Sequence, residues 1–267
     1  MSVTPLTITD DAALGGRLQL LQPKRGHRFG HDAILLAAAI PARAGERAVD
    51  LGAGVGAAGL ALAKRIDGVC ITLVEIDPAL CELARENAIR NGMAHSTAAI
   101  ALDVAAPASA FDQAGLWPAS ADHVLMNPPF HDSARTQASP DAARRGAHVA
   151  AAGSIAAWAG AAAYLLRPAG TLTLIYRADG LGEVLGALAR DFEVIGVLAV
   201  YSKPGAPPIR VIVQALRRAD DRKVPDEHLH SGAAKCESAL LLTDSGGRPT
   251  AEAEAILRDA APLRIGG

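Results

Sequence analysis

Two stretches of the chain hold residue types that could do chemistry together. One is Asn127-Pro128-Pro129-Phe130, and the other is the glycine run Asp50-Leu51-Gly52-Ala53-Gly54-Val55-Gly56. In the first, two prolines fix the backbone and remove N–H donors. What remains is a set of acceptors, the Asn127 side-chain oxygen and the Pro128 carbonyl, beside the flat apolar face of Phe130. Such a set suits an exocyclic amine or an amide nitrogen, whose delocalised lone pair makes it a poor nucleophile. Acceptors on its hydrogens hold the nitrogen nearer tetrahedral and aim the lone pair at an electrophile, placing stabilisation where charge develops. A base stacked on Phe130 would add about 1–3 kcal/mol.

The glycine run lets the backbone turn tightly and lets a ligand approach without a Cβ in the way. The N–H groups of the helix that follows favour a carboxylate or phosphate. Its Gly54-x-Gly56-x-x-Gly59 spacing also fits a dinucleotide fingerprint, which is a weak signal by itself. Two acids favour S-adenosyl-L-methionine (SAM) over a nicotinamide. Asp50 precedes the glycines, where it can face the cofactor's amino group. Asp103, at the end of the third strand, can accept from an adenine amino group. Glu75, with Asp77 two residues on, can accept from ribose hydroxyls. A methyl sulfonium has a good leaving group, so the chemistry requires no metal and no covalent nucleophile. The histidines form no HExxH or similar spacing. The competing readings are a nicotinamide oxidoreductase and a tight turn without a ligand.

These residues need a scaffold, and the hydrophobic pattern supplies one. Strands are expected at Arg47–Gly52, Cys70–Ile76, Ala98–Val104, Asp122–Met126 and Thr171–Tyr176. Helices are expected at Ala33–Ala39, Ala57–Arg65, Pro78–Asn91, Ser154–Leu166 and Leu181–Ala189, with a short one at Glu252–Arg258. Phe192–Val200 and Arg210–Leu216 are joined by YSKPGAPP, too short for a parallel crossover, so that pair is expected to be antiparallel. The sum is an α/β doubly wound sheet, mostly parallel with one antiparallel strand. The expected organisation is an N-terminal segment and helix over the cofactor site (1–46), the sheet domain (47–217) and a C-terminal extension (218–267).

Composition narrows the classes. Half of the 267 residues are hydrophobic, which excludes a disordered chain. No apolar run reaches the roughly 18 residues of a membrane-spanning helix, and the first sixteen residues do not read as a signal peptide. Three scattered cysteines form neither a disulfide framework nor a zinc pair, which points to a reduced, cytoplasmic compartment. Net charge is −2, so nucleic-acid binding would rest on local patches. Lys24, Arg25 and Arg28 form one, and Arg135, Arg144 and Arg145 another, with salt-dependent phosphate contacts as their use. Arg217, Arg218, Arg222 and Lys223 alternate with acids and read as a solvated face.

An NPPF motif after the fourth strand resembles the class I N-methyltransferases, which act on nucleobase exocyclic amines or on glutamine. Together with QPKRGHRFGHDAILLAAA (Gln22–Ala39), VDLGAGVG and VEID, the chain resembles the bacterial tRNA(Val) adenine-N6 methyltransferase family over roughly Gln19 to Leu216. The segment DSGGRPTAEAEAILR resembles that family's tail. The resemblance implies a class I, Rossmann-like methyltransferase that uses SAM and takes tRNA as its partner. It implies that Asp50, Gly52, Ala53, Gly54 and Gly56 hold the methionine end, Glu75 and Ile76 the ribose side, and Asp103 with Val104 the adenine. Asn127, Pro128 and Phe130 would hold the target amine, with Asn127 also in contact with the cofactor, and Phe29, His31 and Asp32 would close over the cofactor. A simpler role for Asp32 is capping the helix that begins at Ala33. The motif is shared with glutamine and guanine methyltransferases, so a protein glutamine or another nucleobase stays open as acceptor. So does a non-catalytic RNA-binding module that retains the fold.

Overall fold

Alternation along a buried strand sends successive side chains to opposite faces, and the central strand of this protein shows it plainly. In β3 (Arg47–Leu51), Ala48 faces one core, while Val49 and Leu51 face another. Each core is covered by helices, so the sheet is filled on both sides. The structure is a computed structural model, and it describes residues 7–25, 28–129, 154–219 and 236–265.

The sheet has eight strands. Besides β3 they are β4 (Cys70–Glu75), β5 (Thr97–Ala101), β6 (Ala121–Met126), β7 (Leu166–Arg177), β8 (Phe192–Tyr201), β9 (Pro208–Arg217) and β10 (Cys236–Leu241). Their order is β10-β8-β9-β7-β6-β3-β4-β5. All neighbours are parallel except β9, which runs antiparallel to both β7 and β8. One reversed strand is what the short YSKPGAPP link requires.

On one face lie α1 (His31–Ala39), α2 (Ala57–Arg65) and α3 (Pro78–Arg90), with Leu36, Leu60, Leu73, Ile175 and Ile212 in a shared core. On the other lie α4 (Ala108–Gln113), α5 (Ile155–Leu165) and α6 (Leu181–Leu188), with Leu51, Met126, Trp158, Leu174 and Phe192. A last helix, α7 (Ala251–Asp259), packs back on the first face through Ile256, and the Leu263 N–H donates to Ala38 O at 2.8 Å.

Several local details differ from the sequence expectations. α1 starts at His31 with Gly30 as its cap and no side-chain capping bond, so Asp32 does not cap it. α3 has Pro78 in its first turn as expected, but Asp77 is its cap, the carboxylate accepting from Ala79 N at 2.8 Å. β5 stops at Ala101, so Asp103 lies beyond the strand and heads a turn by accepting from Ala105 N at 2.8 Å. Four elements were not anticipated. These are α4, β10 and a separate antiparallel hairpin, β1 (Ile8–Ala13) with β2 (Leu18–Pro23).

The basic stretch that begins at the last residue of β9 is not a solvated face at its start. The Arg217 side chain is 11% exposed and donates to the carbonyl of Ala163 at 2.8 Å, while Arg218 donates to that of Phe192 at 3.0 Å. Arg222 and Lys223 lie outside the described residues. No described helix is long and apolar enough to cross a membrane.

Candidate functional site

The carboxyl ends of β3 and β6 adjoin in the sheet, with Leu51 level with Met126. Each chain leaves its strand there, one into the glycine loop and the other into Asn127-Pro128-Pro129. This is the edge of an open α/β sheet where ligands bind. A cavity of about 590 Å³ opens at that place. Asp50, Gly52, Ala53 and Gly54 line it from the loop, and Asn127, Pro128 and Pro129 from the end of β6. Phe29, His31 and Asp32 line it from the segment that enters α1. Three parts far apart in sequence thus meet on one space.

The glycines do different jobs. Gly52 has φ +68, and a Cβ there would fall 2.2 Å from Trp158 on α5. Gly56 has φ +86, and its Cβ would sit 2.9 Å from Leu73. Gly59 lets α2 press against β4, where a Cβ would meet Leu73 at 2.4 Å. Gly54, at φ +57, has open space where its Cβ would be. Gly52→Ala is therefore expected to destabilise the fold by about 3 kcal/mol, from left-handed strain and overpacking together. Gly54→Ala should cost only about 1 kcal/mol of fold stability and act on the ligand instead. Thermal unfolding beside a SAM-binding titration checks both. Equal loss of stability in the two variants would contradict the division of roles.

Asp50 is 2% exposed, and its Oδ2 accepts from Gly59 N at 2.8 Å. Burial pushes its carboxyl up to about 7, the Glu75 charge pushes the same way, and the Gly59 N–H pulls against both. Glu75 does not line the cavity. Its Oε2 accepts from Gly54 N at 2.8 Å and its Oε1 from Asp77 N at 2.9 Å, so it holds the glycine loop to the end of β4. Ile76 beside it is 59% exposed. Gly56 is inside the packing, and Asp103 is half-buried outside the main cavity. Val104 lines a second, apolar cavity of about 300 Å³ with Phe111, Gly160 and Tyr164. Phe130, His27, Arg135, Arg144 and Arg145 lie outside the described residues.

Asn127 is half-buried, and its side-chain amide makes no hydrogen bond to another described residue. Asn127 lines the same cavity as the buried carboxylate of Asp50.

Two arginines have roles that the sequence reading does not give them. Arg28 binds Asp11 at 2.9 Å, Thr9 Oγ1 at 2.9 Å and the Pro23 carbonyl at 3.2 Å. It ties the hairpin to the entry of α1 while remaining exposed, as Lys24 and Arg25 are. Arg210 was read only as a strand residue. It lines the cavity, and its Nε donates to Asp32 Oδ2 at 2.7 Å. Gln214, on the same face of β9, donates to the Ala39 carbonyl at 2.7 Å. β9 therefore fastens α1 at both ends. The signal in sequence was the alternation Arg210, Ile212, Gln214, which put two polar groups on an inward face. Asn87, fully buried on α3, was also missed. It donates to Leu21 O and to Val55 O, both at 3.0 Å, and accepts from Leu21 N at 2.7 Å. One amide thus joins the hairpin, the glycine loop and α3.

A doubly wound sheet in this order, with a glycine loop after its central strand, is the class I, Rossmann-like methyltransferase fold. The family model described as "Methyltransferase small domain" matches residues 28–195, and the chain belongs to that family. It is 29% identical to the tRNA1(Val) (adenine(37)-N6)-methyltransferase of Bacteroides fragilis, over 70% of this chain and 76% of that protein. The protein of the same name from Serratia proteamaculans is 28% identical, over 81% of this chain and 82% of its own. The release factor glutamine methyltransferase of Chlorobaculum tepidum is 31% identical, over 58% of this chain and 53% of its own. Among solved structures, a predicted O-methyltransferase from Agrobacterium tumefaciens is similar at a TM-score of 0.68 and 25% identity, covering 87% of this chain and 98% of that one.

Membership makes SAM the methyl donor. The residues present fit it. A buried carboxylate at Asp50 lines the cavity and lacks a cationic partner among the described residues, and the space over Gly54 is open to backbone approach.

Proposed function

We propose that the protein transfers the methyl group of SAM to the exocyclic N6 of an adenine in tRNA, in the anticodon-loop region of tRNA(Val). The observation that carries this reading is the uncommitted Asn127 amide, followed by two prolines, on the same cavity as Asp50 and Gly54. When bound, SAM supplies an electrophilic methyl on a sulfonium. The chain's own residues do the rest. Asn127 Oδ1 and the Pro128 carbonyl accept from the amine's hydrogens and orient its lone pair, with Phe130 as the stacking face. Asp50 holds the amino group of the donor, with Gly52, Ala53 and Gly54 forming the bed and Gly56 packed beneath them. Glu75 and Ile76 serve the ribose side, and Asp103 with Val104 the adenine. Phe29, His31 and Asp32 cover the donor. An anticodon-loop base is already partly unstacked, which lowers the cost of presenting it. The relatives named as tRNA1(Val) methyltransferases support this acceptor.

A second reading, a protein glutamine as acceptor, has its own support in the Chlorobaculum tepidum relative. An amide nitrogen needs the same two acceptors. The test is to incubate the protein with SAM and unmodified tRNA transcript, digest, and identify nucleosides by mass spectrometry, with a glutamine-bearing release factor in a parallel arm. N6-methyladenosine is expected. Methylglutamine in the second arm with no methylated nucleoside in the first would overturn the tRNA reading.

A further inference from the structure

The carboxyl end of β7 carries Arg177, and its register partner at the start of β9 is Arg210. Register partners in an antiparallel pair point to the same face. Here that is the face of Ile175 and Ile212, two residues further in, which pack beneath α1. Like charges directly opposite each other weaken a strand pair, so this placement works against the sheet. Carboxylates offset the two charges, with Asp32 on Arg210 and Asp179 on Arg177, both at 2.7 Å. Asp179 is 73% exposed.

The location is specific. β7 lies parallel to β6 with Met126 level with Leu174. Three residues beyond Leu174 is Arg177, and three beyond Met126 is Pro129. Arg210 lines the same cavity as Asn127, Pro128 and Pro129, and Arg177 is its register partner on β7, the strand that pairs with β6. A planar guanidinium matches a phosphate through paired N–H donors, which a lysine cannot do. A nucleotide base delivered to Asn127 brings its own backbone phosphates to this edge, whereas a glutamine side chain brings none.

We propose that Arg210 and Arg177 form a clamp for the backbone phosphates flanking the acceptor nucleotide. The proposal rests on the reading of the acceptor as RNA. The phosphates would share or replace Asp32 and Asp179 as partners of the two guanidiniums, so that the clamp is closed by carboxylates before RNA arrives.

The test measures binding of an unmodified tRNA transcript across a potassium chloride series, by fluorescence anisotropy. Wild type is compared with Arg177→Gln, Arg210→Gln and the double variant. Each single change should reduce the magnitude of the slope of log affinity against log salt by about 0.7–0.9, and the double variant by about twice that. Arg177→Lys should restore most of the slope. Arg210→Gln leaves Asp32 without its ion pair and could unfold. Arg177→Gln then decides alone, since its partner is exposed. Wild-type slopes in a folded Arg177→Gln variant overturn the clamp and leave the RNA reading standing. Absence of salt-dependent tRNA binding by the wild type overturns both.

Discussion

Asn127→Ala is expected to lower the rate of methyl transfer by about 10²–10³-fold, the loss of about 2.7–4 kcal/mol seen when one preorganised polar group leaves a transition state. The amide makes no hydrogen bond to another described residue and is half-buried, so its removal leaves no buried donor or acceptor behind. Thermal stability should therefore shift little. SAM affinity should also change little, because the donor's amino group is assigned to Asp50 on the other wall of the cavity. The informative result is this combination, a large fall in turnover with stability and donor affinity intact. Single-turnover kinetics with saturating SAM, beside a binding titration, measure it. Turnover at the wild-type rate would show that Asn127 does not orient the amine. A matched loss of SAM affinity would move the residue to the donor side.

How legible this site was depended on how local its signals are. Asp50-Leu51-Gly52-Ala53-Gly54 could be read because a strand, a set of left-handed glycines and a helix follow each other within a dozen residues. The positive φ values at Gly52, Gly54 and Gly56 are a backbone requirement that residue type reveals. Asn127-Pro128-Pro129 was legible for the same reason, since two prolines end a strand wherever they stand. The reversed strand β9 followed from a link too short for a crossover.

What was missed depends on partners distant in sequence. β1 reads ITDDAA, with no apolar alternation to announce a strand. Part of what secures it lies far along the chain, in the ion pair of Asp10 with Arg90 at 2.6 Å. Its partner β2 is held to α3 by the amides of Asn87 and Asn91. The role of Arg210 arises only when β9 docks beside β7 and α1 brings up Asp32. Glu75 was assigned to the ribose on position alone, but both of its oxygens already hold backbone N–H groups. Its first task is to fix the loop, and any ribose contact must use the remaining lone pairs. Asp103 was placed one element too early because Leu102 extends the apolar pattern past the last ladder residue, Ala101.

Asp50→Asn is expected to change stability and donor binding in opposite directions above neutral pH. In the folded protein the carboxyl is raised from its ordinary 3.8 to about 7, first by burial, then by the charge of Glu75, against the Gly59 N–H. Below about pH 4 the group is protonated in both folded and unfolded chains and costs nothing. As pH rises toward 7 the unfolded chain releases its proton while the folded one keeps it, so stability falls. Above about 7 the carboxylate is ionised in place, and the full cost is on the order of 4 kcal/mol. Asparagine keeps an oxygen for the Gly59 N–H and removes the charge. The variant should melt several degrees higher than wild type at pH 8, with the difference vanishing near pH 4. SAM carries a cation, and this carboxylate has no cationic partner among the described residues, so binding should draw the proton off. Wild-type affinity should then climb by up to tenfold per pH unit between about 5 and 7, and buffers of different ionisation enthalpy should report proton release in calorimetry. In the asparagine variant that slope should disappear, and affinity at pH 8 should fall by about 10- to 100-fold, the worth of one charge-assisted hydrogen bond. Parallel melting curves for the two proteins from pH 4 to 8 would mean that Asp50 is not the group that titrates. A shared pH slope in SAM affinity would mean that another residue receives the donor's amino group.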